Sequence, residues 1–95
     1  MCGRFTLFHD AASLTNYIPI ERVAVSLQPR YNIAPTQAVA AVLCLPEEHG
    51  RTLDVLQWGL VPFWAKDARM GSRMINARAE TAAEKPAYRA AFKRR

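Results

Sequence analysis

The N-terminal run "MCGRF" sets a cysteine directly behind the start residue, with small Gly3 after it. If Met1 is removed, Cys2 carries a free α-amine and a thiol on adjacent carbons. An ordinary α-amine titrates near about 7.7–8.0, so a useful fraction is neutral at pH 7 and can add to an aldehyde. A thiol on the neighbouring carbon can then close onto the imine to give a five-membered thiazolidine. A cysteine thiol becomes more reactive near Arg or a helix N-terminus. The residue pair is therefore suited to trapping aldehydes, and it is equally what a cysteine following a retained Met1 would look like.

Other polar side chains stand in apolar or constrained surroundings. Asn32 lies in "RYNIAP" and Asn76 in "MINAR". A buried Asn needs hydrogen-bond partners, and its amide can equally orient a substrate hydroxyl or carbonyl. Arg4, Arg30 and Arg78 flank extended segments, where the guanidinium fork suits phosphate. Trp58 and Trp64 bracket "GLVPF". Trp58 reads as core, whereas Trp64, between Phe63 and a polar loop, is the better candidate for stacking on a base. His9 and His49 are isolated, no Cys/His spacing fits a metal, and no cofactor is implied. Two cysteines, Cys2 and Cys44, do not make a disulfide framework.

These residues must be positioned by one small domain, because 95 residues allow no more. A composition of 51% hydrophobic and 22% charged residues is that of a folded protein. The longest apolar run, "AVAAVLCL" at 38–45, is far short of the roughly 20 residues of a membrane span. The N-terminus lacks a secretory signal, so a cytoplasmic, nucleoid-associated location is expected if the protein is bacterial and a nuclear one if eukaryotic. Net charge is +5 and uneven: Arg4, Arg22, Arg30 and Arg51 face five acids in residues 1–65, while residues 66–95 hold nine bases and three acids, ending in "FKRR". Such a tail suits a polyanion or is a solvated helix face.

"HDAASLTNYIPI" predicts a short helix capped by Asp10 and stopped by Pro19. "LQPRYNIAPTQ" reads as an ordered loop. "AVAAVLCL" and "RTLDVLQWGLVP" read as two strands of a hairpin with "EEHG" as the turn. "FWAKDARMGSR" reads as a loop and "MINAR" as extended. Thr81-x-x-Glu84 fits a capping box, and Pro86 predicts a second helical piece in which Tyr88 and Phe92 face the core and Arg89, Lys93 and Arg94 face out. With two to four strands and a chain that stops inside a basic helix, part of a larger domain is expected. Open apolar edges make self-association or marginal stability the further expectation.

Four segments, "MCGRF", "RYNIAPTQ", "WGLVPFWAK" and "INARAET", occur in an order and spacing that resembles the SRAP family, named for "SOS-response-associated peptidase". The resemblance spans nearly the whole chain and corresponds to about the first half of a family domain, residues 1–95. It implies an α+β fold, a strongly curved antiparallel β-sheet or barrel with short helices. It implies autoproteolytic exposure of Cys2 and attack on the ring-opened aldehyde of an abasic site in single-stranded DNA, giving a thiazolidine DNA–protein crosslink. Asn76 matches the residue that contacts the abasic sugar, Arg4 and Arg78 match contacts to the DNA backbone, and Pro35 and Trp64 match positions that line or wedge the DNA groove. The family's catalytic Glu and His fall beyond Arg95; Glu80, Glu84, His9 and His49 do not occupy their places. Without such groups a slower crosslink is expected, by on the order of 10²–10⁴. Two other readings remain open. An N-terminal-nucleophile glutamine amidotransferase also begins with Cys-Gly but often uses an Asn-Gly step, which is absent here. A non-catalytic DNA-binding fragment would rest on the basic tail.

Overall fold

The computed structural model describes residues 2–94. Met1, and with it the question of its removal, lies outside the described residues, as does the final base of the tail, Arg95. Among the described residues five strands form two small sheets. β1 (Phe5–Leu7) pairs antiparallel with β3 (Arg30–Ile33), in a register of Phe5 with Ile33 and Leu7 with Arg30 that contains an irregularity. The second sheet has the order β2 (Arg22–Val23), β5 (Thr52–Gln57), β4 (Ala38–Leu43). β2 runs parallel to β5, and β4 and β5 form the antiparallel hairpin expected from their apolar runs.

The fold is thus mixed α and β with short elements. The expected single curved sheet or barrel is not closed among the described residues: the strands divide into a pair and a triplet. The hairpin is shorter than its apolar runs, because β5 ends at Gln57. Gly59 follows at φ +133, a left-handed-side conformation that breaks a strand, and Pro62 removes a ladder donor. Residues 30–33, expected in a loop, are strand instead. Alternating Tyr31 and Ile33 find a partner in β1, and pairing outweighs the flanking prolines. "MINAR" forms no strand; Met74 alone makes a strand-like bond, its carbonyl accepting from Leu60 N–H at 3.0 Å.

The helices are brief. α1 (Ala11–Thr15) starts where Asp10 Oδ1 accepts from Ser13 N–H at 2.7 Å. That bond, more than any other contact, holds the Asp10 carboxyl below the usual carboxylate range. The loop expected at 63–73 contains a 3₁₀ turn over Ala68–Arg73, capped by Asp67. The Thr81–Glu84 segment folds as successive turns in which the Arg78 carbonyl accepts from Thr81 and Ala82 N–H. α2 spans Arg89–Arg94 after a turn entered at Pro86, with Tyr88 half-buried. Phe92, expected inward, is exposed.

The packed centre is small. Ile33 of β3 and Leu53 of β5 are each 1% exposed, and Ala82 and Pro62 are buried as well. Phe5 meets Trp58 edge to face at 5.5 Å, which docks the N-terminal strand against the segment leaving β5.

Candidate functional site

The short stretch before β1 ends at Cys2, whose side chain is exposed and whose thiol is free. Its main chain is nevertheless tethered. Asn76, 74 residues away in sequence, donates from Nδ2 to the Cys2 carbonyl at 2.7 Å. The structure therefore brings together the two residues singled out as reactive and sugar-contacting. Two residues on, Arg4 Nη1 donates to Asn32 Oδ1 of β3 at 3.1 Å. This single bond leaves most of the five guanidinium donors available. Among the described residues Arg4 has no carboxylate partner; the two ion pairs found are Arg22–Glu48 and Arg69–Asp67.

Asn76 sits in a segment without a sheet partner, yet its carbonyls are satisfied. Trp58 Nε1 donates to the Ile75 carbonyl at 3.0 Å, and the Tyr88 hydroxyl donates to the Asn76 carbonyl at 2.8 Å. An indole N–H and a phenol O–H that are half-buried seek such acceptors. The path of the chain here depends on a close crossing of two glycines. A Cβ on Gly59 would stand 2.3 Å from the Gly71 carbonyl oxygen.

Pro35 is half-buried in a tight turn over residues 34–37. Thr36 takes φ +72, unusual for a β-branched residue, and is held there by neighbours. Its N–H donates to the Trp58 carbonyl at 2.9 Å, and Trp58 N–H donates to the Gln37 carbonyl at 3.0 Å. Gln37 Oε1 accepts from Ala34 N–H at 3.0 Å and from Arg30 Nη2 at 2.6 Å, while Arg30 Nη1 donates to the Ala38 carbonyl at 2.6 Å. Arg30 is therefore committed to the turn. That corrects the expectation that it offers its fork to phosphate.

Trp64 is 48% exposed, on a turn closed by Ala65 N–H donating to the Pro62 carbonyl. Arg78 is exposed, and among the described residues its side chain makes no hydrogen bond or ion pair. No hydrogen bond found among the described residues joins Trp64 or Arg78 to Cys2. Tyr88 and Gln37 escaped the reading of the sequence. A Tyr two residues after Pro86 looked like core, and only its hydroxyl, which needs a partner when buried, hinted otherwise. Among the described residues no three His, Cys, Asp or Glu side chains converge as a metal site would require. Among the described residues no helix is long and apolar enough to cross a membrane.

The chain is similar to the abasic site processing protein YoaM of Bacillus subtilis (strain 168), at 44% identity over 91 residues, covering 94% of this chain and 39% of that protein. It is also similar to the abasic site processing protein YoqW of Bacillus phage SPbeta, at 42% identity over 91 residues, with 94% of this chain and 40% of that protein covered. A third relative, the abasic site processing protein YobE of Bacillus subtilis (strain 168), is 41% identical over 91 residues, again 94% of this chain and 41% of the relative. The chain thus spans about two fifths of the length of these curated relatives. No solved structure matches it. The model of the SOS response associated peptidase (SRAP) family matches residues 1–95, from the Cys2 segment through the Asn76 loop to the end of the chain, and the protein belongs to that family.

Proposed function

We propose that this protein acts on abasic sites in single-stranded DNA and holds them covalently through Cys2, after autoproteolytic removal of Met1. The family and its abasic-site-processing relatives support the substrate, and the Asn76–Cys2 hydrogen bond at 2.7 Å is the observation that carries the mechanism. An abasic deoxyribose exists partly as an open-chain aldehyde. The Cys2 α-amine adds to its C1′, and loss of water leaves an imine. The thiolate then adds to the same carbon, and the nitrogen takes up a proton. One C–N and one C–S bond form, the C=O oxygen leaves as water, and no oxidant or reductant is consumed. The closed thiazolidine is far more persistent than the imine.

Asn76 serves this chemistry by fixing the Cys2 main chain and by presenting an amide beside the bound sugar. Arg4 and Arg78, neither neutralised by a carboxylate among the described residues, take DNA phosphates. Pro35 and Trp64 line the path of the strand, with Trp64 exposed for stacking.

The test is a denaturing gel of the Met1-free protein incubated with single-stranded DNA bearing one abasic site. A heat-stable adduct is expected. Cys2→Ala, or acetylation of the α-amine, should abolish it. A heat-stable adduct that persists in Cys2→Ala would overturn the assignment.

A further inference from the structure

Three successive carbonyls in the Asn76 segment are held by three different donors. The Met74 carbonyl accepts from the Leu60 N–H at 3.0 Å, that of Ile75 from the Trp58 indole at 3.0 Å, and that of Asn76 from the Tyr88 hydroxyl at 2.8 Å. In a strand these groups would be held by a neighbouring backbone. Here two of them are held by side chains, and both of those bonds are partly buried.

The clamp is itself anchored. The main chain of Trp58 is pinned on both its N–H and its carbonyl by the turn at 36–37. Tyr88 is fixed on the other side by the turn entering α2, where its N–H donates to the Lys85 carbonyl at 3.0 Å and its carbonyl accepts from Phe92 N–H at 2.9 Å. An Asn side chain has only two rotatable bonds. Once its backbone is fixed, the reach of Nδ2 is nearly fixed as well, and that atom lies 2.7 Å from the Cys2 carbonyl.

We infer that Tyr88, with Trp58 opposite, is a positioning residue: its hydroxyl sets the Asn76 amide, and through it the Cys2 aminothiol, in the reactive geometry. The inference rests on the crosslinking function proposed above. A tyrosine that merely filled space would be equalled by phenylalanine, so the hydroxyl is what distinguishes the two roles. Misplacement of a reacting group by about 1 Å costs up to roughly a hundredfold in rate, and loss of one of two clamping bonds should cost about tenfold.

The experiment compares Tyr88→Phe with the unsubstituted chain, both beginning at Cys2. Adduct formation with saturating abasic oligonucleotide should slow about tenfold. Affinity for an intact oligonucleotide of the same sequence should be unchanged, and the melting temperature should fall only modestly, because the Asn76 carbonyl loses one donor. In the Asn76→Ala background the added Tyr88→Phe should have no further effect, since it acts only through Asn76. Independently of the reaction, ¹⁵N spectra should show the Asn76 side-chain amide protected from exchange in the unsubstituted chain and unprotected in Tyr88→Phe. A wild-type rate with an unchanged Asn76 amide overturns the inference, as does equal slowing in the Asn76→Ala background. If the unsubstituted chain forms no adduct, the crosslinking reading fails, and the amide signal still decides whether Tyr88 positions Asn76.

Discussion

At the residue scale, three arginines that look alike in sequence have different fates. Arg30 gives two bonds of 2.6 Å to the 34–38 turn. Arg4 gives one to Asn32, and Arg78 gives none among the described residues. This separates a guanidinium committed to the fold from those left for the phosphate contacts proposed above, and makes a paired prediction. Arg78→Ala should weaken binding to single-stranded DNA of all sequences alike and flatten the salt dependence by about 0.7 in log–log slope, the value of one phosphate contact. Arg30→Ala should leave that slope unchanged. It should instead destabilise the fold by about 0.5–1.5 kcal/mol, because two hydrogen bonds to acceptors that water can partly replace are lost. Binding titrations over a range of salt, with thermal melts of both variants, check the pair. An unchanged slope in Arg78→Ala with a lowered melting temperature would assign Arg78 to the fold.

At the element scale, the Asn76 segment is placed by a crossing of irregular backbone rather than by a sheet. Gly59 and Gly71 touch: a Cβ at Gly59 would lie 2.3 Å from the Gly71 oxygen and 2.8 Å from its carbonyl carbon, and Gly59 is also at φ +133. Neither contact is with a flexible side-chain tip, so backbone must shift. Gly59→Ala should cost at least about 1–3 kcal/mol, from the disfavoured conformation alone. It should also slow adduct formation, since the Leu60–Met74 bond one residue on is part of the same crossing. Denaturant unfolding and the adduct time course measure the two effects. Unaltered stability would mean that the two strands of backbone separate readily there.

At the scale of the whole molecule, little apolar surface is hidden. The Cα radius of gyration is 14.5 Å, against about 12–13 Å for a compact chain of this length. Large apolar side chains stand open on several elements, including Tyr31 of β3, Val55 and Leu56 of β5, Phe92 of α2 and Phe63, which is 79% exposed. Patches of this kind mark contact surfaces or association. Sedimentation of the isolated chain should therefore show a mass that rises with concentration, and its thermal melt should be broad and low. A monomer with a sharp, high transition would contradict this and show that the small centre around Ile33 and Leu53 suffices.

Much of the candidate site is legible along the chain because the chemistry proposed for it is local. An aminothiol needs only Cys2 behind a removable Met1. The motifs around Arg4, Pro35, Asn76 and Arg78 are short, and the hairpin and α1 follow from apolar runs and an Asp cap. Strand β3 was not legible, because its extended form depends on β1, a partner about 25 residues away. Nor was the fate of Arg30, whose acceptors exist only once the 34–37 turn has closed. The hydrogen bond from Asn76 to Cys2 spans 74 residues, and the hydroxyl of Tyr88 finds its acceptor only when the turn before α2 packs on the Asn76 segment. Residue types and short spacings decided which groups could react. Tertiary structure alone decided which carbonyl each donor would meet, because in the unfolded chain water satisfies those groups equally well.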